Sequence, residues 1–201
     1  MYLTKTEHFV QALRKRGIAR SHEIEALGIS REYLRKLHAQ GVVQRLGYGL
    51  YSLADFEPTE HRTMAEACKR VPNGVVCLLS ALHFHDLTTQ LPFEIWLALD
   101  RKAWRPRESS IPLRFVRFSG AALEAGIEEY KIEGVKVRVY NVAKTVVDCF
   151  KYRNKIGLDV ALEALREGWR ERRFTMDDLW RYGKICRVAN VMRPYLEALV
   201  A

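Results

Sequence analysis

The sequence predicts an α+β fold in two parts. Three observations lead there: apolar residues at helical spacing behind capping signals near the N-terminus, short apolar runs bounded by glycines in the middle, and helical patterns that close the chain. With 201 residues, 48% hydrophobic and 28% charged, the chain has enough apolar content to fold as one large or two small domains.

The first element opens at Thr4-Lys5-Thr6-Glu7, a capping box in which the threonine oxygen and the glutamate carboxylate satisfy free N–H groups of a first turn. Phe9, Val10 and Leu13 then recur at helical spacing to Arg16, and Gly17 ends the helix. A second short helix is expected from Arg20-Ser21 through Leu27, with Ser21 as its N-cap and Gly28 turning the backbone. Ser30 caps a third, Arg31 to Gln40, ended by Gly41. Two strands, Val42 to Leu46 and Leu50 to Leu53, are joined by Gly47-Tyr48-Gly49. Three helices with a glycine turn between the second and third, then a hairpin, make a winged helix-turn-helix.

At about 100° per residue the third helix turns Ser30, Leu34, Leu37 and His38 to one side, toward the other helices. The opposite side presents Glu32, Arg35, Lys36 and Ala39, with Arg31 and Tyr33 on its flanks. Arginine bonds guanine bidentately in the major groove, so Arg31 and Arg35 are the expected base readers. Lys36, the helix-entry pair Arg20 and Ser21, and Arg45 and Tyr48 of the wing are expected to hold phosphates or reach the minor groove. His38 is expected as a satisfied interior imidazole without a role.

The domain seam is expected at Ala54-Asp55-Phe56-Glu57-Pro58-Thr59, where the strand pattern stops and a proline breaks the chain. That gives a DNA-binding domain over 1–57 and a mixed α/β domain over 58–201, with a small sheet and C-terminal helices. In the second part Thr59 to Val71 and Val76 to Leu87 read as helices and Phe93 to Leu99 as a buried strand. Leu113 to Phe118 alternates, and Tyr130 to Tyr140 forms a hairpin across Glu133-Gly134. Asn141 caps a helix through Phe150. Helices over Leu158 to Arg170, from Thr175, and over Val188 to Val200 follow.

Net charge is +9, and both parts carry an excess of Lys and Arg, which favours a polyanionic partner. A second basic surface, for nucleic acid or for neutralising a partner, is expected at Arg101, Lys102, Arg105 and Arg107, with Trp104 in its midst and Arg114 and Arg117 on the next strand. No apolar run approaches the roughly 18 residues of a membrane span and no export signal is visible. Four scattered cysteines without a CxxC pair read as reduced core thiols, so a cytoplasmic protein is expected.

Asp100-Arg101-Lys102 at a strand end has half of a nuclease metal site but lacks a second carboxylate on a neighbouring strand, the nearest upstream, Asp86, falling in a helix. His83 and His85, two apart on a helix, diverge by about 200°. Asp148, in an apolar helix, is expected to pair with an arginine or to cap a neighbouring helix. No Ser/His/Asp set, phosphate loop or HExxH pattern occurs, so no catalytic residue, metal or cofactor is expected.

Across nearly its full length the chain resembles the AbiEi antitoxins of abortive-infection, type IV toxin-antitoxin systems. The resemblance lies in Gly28-Ile29-Ser30, Tyr33-Leu34-Arg35-Lys36-Leu37, Gly41-Val42-Val43-Gln44-Arg45 and Gly49-Leu50-Tyr51-Ser52-Leu53, then Ser80-Ala81-Leu82 with Leu87-Thr88, and Thr145-Val146-Val147-Asp148-Cys149. It implies an operon repressor on inverted repeats of its own promoter, and protection from a nucleotidyltransferase toxin encoded next door, with the C-terminal domain implicated in neutralisation. The competing reading is an enzyme, a metal-dependent nuclease or nucleotide-modifying protein, guided by a DNA-binding head.

Overall fold

Helix α1 (Lys5–Arg16) begins at the expected capping box, with Thr4 N–H donating to Glu7 Oε2 at 2.7 Å and Glu7 N–H donating to Thr4 Oγ1 at 3.2 Å. The computed structural model describes residues 4–105 and 110–200. It is a mixed α+β fold with two sheets. By contacts the chain divides into two compact units: Met1–Pro72 with Arg105–Ile111 and Lys131–Val137, and Asn73–Trp104 with Pro112–Tyr130 and Arg138–Ala201.

In the first unit α1 is followed by β1 (Ala19–Arg20), α2 (Ser21–Glu25), α3 (Arg31–Ala39), β2 (Val43–Gly47), β3 (Leu50–Leu53) and α4 (Arg62–Arg70). The three strands form an antiparallel sheet in the order β1-β3-β2. β1 is two residues long, too short to leave an alternating pattern, and was not expected. Ser21 is not the N-cap of α2. Arg20 holds that position, its N–H donating to Glu23 Oε2 at 2.6 Å, while Ser21 is the first helical residue and bonds the Gly49 carbonyl through both its N–H and its hydroxyl. The buried core is Phe9, Leu13, Ile24, Ile29, Leu34, Leu37, Val43 and Leu53, the apolar faces of three helices closed by the hairpin. Burial of each such side chain contributes about 1.5–3 kcal/mol.

The Glu133-Gly134 turn also belongs to this unit. Gly17, at φ 65°, lies so close to the Glu133 carbonyl that a Cβ would collide with it, and a Cβ on Gly134, at φ 75°, would collide with the Arg16 carbonyl. Only glycine permits both the left-handed backbone and that approach. Ile18 N–H completes the contact by donating to Glu133 O at 3.3 Å.

The other sheet is five-stranded and mixed, in the order β6-β5-β4-β8-β7, from β4 (Val75–Val76), β5 (Ile95–Asp100), β6 (Leu113–Phe118), β7 (Ile127–Ile132) and β8 (Val135–Tyr140). β4 is antiparallel to β5 and parallel to β8, and β5 is parallel to β6. The stretch expected as one helix over Val76 to Leu87 is instead strand β4 followed by α5 (Leu78–Phe84). Asp86 lies in the turn beyond it, at φ 57°. A two-residue apolar strand running into an apolar helix has no period of its own to announce it. The β5 strand starts two residues later than expected, because Phe93 stands in solvent.

The remaining helices are α6 (Ala121–Glu124), α7 (Val142–Lys151), α8 (Arg153–Ile156), α9 (Leu158–Arg170), α10 (Met176–Ile185) and α11 (Ala189–Val200). Asn141 caps α7 through Lys144 N–H at 2.9 Å, and Thr175 with Asp178 forms a capping box on α10. α7 is buried along its whole circumference from Val142 to Phe150, which identifies it as the central helix of this core, packed against α5, α9 and α10. No helix among the described residues is long and apolar enough to cross a membrane.

Candidate nucleic-acid interface

Helix α3 is divided lengthwise. Leu34 and Leu37 are buried, whereas Arg31, Glu32, Arg35 and Lys36 are exposed. Ser30 starts the helix by accepting from Tyr33 N–H at 3.2 Å, and Glu32 in the first turn complements the helix dipole. The side chains of Arg35 and Lys36 engage no partner among the described residues. The guanidinium of Arg31, 75% exposed, is ion-paired with Glu25 of α2. Such an exposed pair contributes about 0–1 kcal/mol and yields readily to a stronger anion.

Other residues on this surface are anchored within the unit. The Tyr33 hydroxyl bonds Thr6 Oγ1 at 2.6 Å and fixes α3 against α1. His38 is exposed, not interior as its helical position suggested. Its Nδ1 lies 3.0 Å from the Val43 carbonyl, so the ring folds over the start of β2 instead of entering the core. Arg20 is half-buried and its guanidinium donates to the Lys69 and Arg70 carbonyls, the second at 3.4 Å, at the C-terminal end of α4. Lys69 Nζ in turn pairs with Glu23 at 2.8 Å. Burial alone would raise the Glu23 pKa, but the Arg20 N–H and Lys69 hold it below the ordinary glutamate range.

The hairpin presents Arg45 and Tyr48 in solvent, Tyr48 67% exposed. Its tip is braced from behind: Arg70 Nη2 donates to Ser110 Oγ at 2.8 Å, and Ser110 Oγ donates to the Leu46 carbonyl at 3.3 Å. A Cβ on Gly47 would run into both side chains. Glu25, Arg70 and Ser110 were missed by sequence reasoning. Ser110 comes from a segment 64 residues from Leu46, with no local pattern to connect them.

Of the second basic surface, Arg101, Lys102 and Trp104 are exposed in the second unit. Arg105 is exposed and belongs to the first, and Arg107 lies outside the described residues. Arg117 does not face solvent freely. Its Nη1 donates to the Asp100 and Ala103 carbonyls at 2.5 and 2.8 Å. Arg114 pairs with Glu94 at 2.9 Å and lies over the Trp96 ring at 4.8 Å.

The residues weighed for catalysis are held structurally. Asp100 Oδ1 accepts from Lys102 N–H at 2.9 Å, and no group of three or more His, Cys, Asp or Glu able to hold a metal ion occurs among the described residues. Buried His85 bonds the Tyr140 carbonyl through Nε2 at 2.7 Å. Asp148 pairs with a lysine, Lys144, and not with an arginine or a helix end as expected. All four cysteines are buried. Burial pushes the thiols of Cys77 and Cys149 well above their ordinary range and that of Cys186 up to about 12, so all three are protonated at neutral pH.

The second-domain motifs have equally local explanations. Ser80 Oγ accepts from Trp96 N–H at 2.9 Å and donates to Glu94 O at 3.3 Å, which satisfies the backbone at the entry to β5. Thr145 Oγ1 donates to the Tyr140 carbonyl at 3.1 Å.

Residues 10–54 match the family model described as a transcriptional regulator, AbiEi antitoxin. That is the family the sequence resembles. Among solved structures, the crystal structure of RV2827C protein from Mycobacterium tuberculosis is similar, with a TM-score of 0.60 at 12% identity over 92% of this chain and 72% of that one, a likeness of fold. No curated protein matches by sequence.

Proposed function

We propose, from the premise that residues 10–54 are an AbiEi-type regulator segment, that the chain is a DNA-binding transcriptional repressor of its own toxin-antitoxin operon. In this reading residues 1–57 are a winged helix-turn-helix and residues 58–201 an antitoxin-type domain of a cytoplasmic, non-enzymatic protein. The observation that carries it is the division of α3: two leucines anchor one side, and Arg31, Arg35 and Lys36 stand free of the core on the other.

An α-helix fits the major groove, where the Arg35 guanidinium can bond guanine O6 and N7 together. Arg31 reaches a second base by exchanging Glu25 for the base edge, and Lys36 neutralises phosphate. Arg45 and Tyr48 at the exposed hairpin meet the backbone or the adjacent minor groove. Arg20, Ser21 and Tyr33 support this face from within, through Arg20 Nη2, the Ser21 hydroxyl and the Tyr33 hydroxyl. The inverted repeats of the promoter and the nucleotidyltransferase toxin follow from the family resemblance.

A gel shift on the native promoter across a salt series tests the reading. Arg35→Ala is expected to lose sequence preference while keeping nonspecific binding, a cost of about 1–3 kcal/mol. Equal affinity of the wild type for promoter and unrelated duplex would overturn it.

A further inference from the structure

The chain has four tryptophans. Trp96 is buried in the second unit's core, and Trp169 and Trp180 pack against that core partly buried, but Trp104 is 73% exposed. Its indole meets no aromatic or cationic partner among the described residues. An aromatic left in water is ordinary when it sits singly on a mobile loop. Trp104 follows directly on a fixed one.

The turn before it is closed by Ala103 N–H donating to Asp100 O at 3.1 Å and by Lys102 N–H donating to Asp100 Oδ1 at 2.9 Å. From the neighbouring strand Arg117 Nη1 clamps the Asp100 and Ala103 carbonyls together. Both ends of the turn are therefore bonded, and the one acidic side chain in it is occupied with backbone. Arg101 and Lys102 project from this frame exposed and with no ion pair among the described residues. A rigid frame carrying an exposed indole and two unneutralised cations loses little entropy when it binds.

We infer that Arg101, Lys102 and Trp104 form a site for a single nucleic-acid strand, with an unpaired base stacked on the indole and neighbouring phosphates on the two cations. Stacking needs the open face of a base, which a duplex hides; a turn at a strand end also offers no helix to enter a major groove. Two unpaired cations flanking the ring favour a polyanion over an apolar protein pocket. The site shares no residue with α3, so it is tested independently of the proposed operator binding.

Fluorescence anisotropy of the full-length protein with short labelled oligo-uridylate and oligo-thymidylate tests this. The wild type is expected to bind at least one of them, the RNA and DNA arms showing which strand it takes. Binding should weaken with salt with a slope of roughly −1.4, two phosphates at about −0.7 each. Trp104→Ala is expected to weaken binding about tenfold or more, the scale of losing one stacked base. Trp104→Phe should restore most of it, and Arg101→Glu with Lys102→Glu should abolish it. Arg35→Ala with Lys36→Ala should leave the single strand bound while duplex operator binding falls. The inference is overturned if neither oligonucleotide binds, if Trp104→Ala binds like wild type, or if the α3 variant alone removes single-strand binding. It is also overturned if Trp104→Ala releases a protein partner while no oligonucleotide binds.

Discussion

Lys144 and Asp148 lie one helical turn apart on α7, both fully buried, with Nζ 2.5 Å from Oδ2. The ammonium also sits 4.0 Å from the Tyr140 ring centroid and 4.8 Å from that of Phe118, and Cys186 Sγ donates to Asp148 Oδ1 at 3.4 Å. Burial raises the Asp148 pKa while Lys144 opposes the rise. The carboxylate that stood out in an apolar helix is one half of an internal ion pair, enclosed by rings that tolerate a cation.

Removing one partner strands a charge in the core. Asp148→Ala and Lys144→Ala are each expected to cost about 3–5 kcal/mol in urea unfolding. The double variant Lys144→Met with Asp148→Leu, which removes both charges and keeps the volume, should recover most of that loss. A double variant less stable than either single one would show that the pair is not the unit that matters.

In the proposed reading Glu25, ion-paired with Arg31, is a competitor of DNA for that guanidinium. In Glu25→Gln the exposed pair is lost at a cost of no more than about 1 kcal/mol, so the melting temperature should hardly move. Operator affinity should rise severalfold, because the guanidinium is released and a negative charge near the phosphates is removed. A gel shift beside a thermal melt separates the two effects; unchanged or weaker binding would remove Arg31 from the reading face.

Arg20 Nη2 is bonded to the Lys69 and Arg70 carbonyls, and its expected role is to brace the reading face. Arg20→Ala frees the carbonyls of Lys69 and Arg70 and is expected to destabilise the protein by about 1.5–3 kcal/mol, the range for hydrogen bonds to a charged group. The salt slope of operator binding should stay the same, whereas a lost phosphate contact would lower it by about 1.

Burial lowers the pKa of His85 from its ordinary 6.5, against the Tyr140 carbonyl and the nearby Glu128 and Asp86, which favour the cation; Arg173 disfavours it. The unfolded chain therefore takes up a proton near pH 6.5 that the folded one resists. Stability contributed by neutral His85 is complete above pH 6.5 and falls as the pH drops toward the lower folded value. Denaturant midpoints measured from pH 7.5 to 5 should show this decline, and His85→Gln should flatten it. An identical slope in the variant would assign the effect to another group.

The elements legible from the residues alone are those whose cause is local. The capping box at Thr4/Glu7, the helix start at Thr175, the Asn141 cap, the Glu133-Gly134 turn and helix α9 all depend on residues within a few positions of one another, and all formed as read. The split of α3 into leucine and arginine sides is equally local, because helical geometry alone sets it.

Tertiary structure decided which charges stay available. Arg20 and Arg35 look alike in sequence, yet the carbonyls that engage Arg20 arrive from 49 and 50 residues away, and nothing comparable among the described residues reaches Arg35. Arg117 was drawn into the turn before Trp104 in the same manner, which left Arg101 and Lys102 as its exposed charges. The strands β1 and β4, two residues each, exist only because longer neighbours pair with them. Gly17 and Gly134 each read as a turn residue, but their mutual close approach needed the folded chain to reveal it. A side chain's conformation is set by its neighbours in sequence, whereas its partner is set by whatever the fold brings alongside, and for a charged surface the partner determines whether the charge remains free to bind.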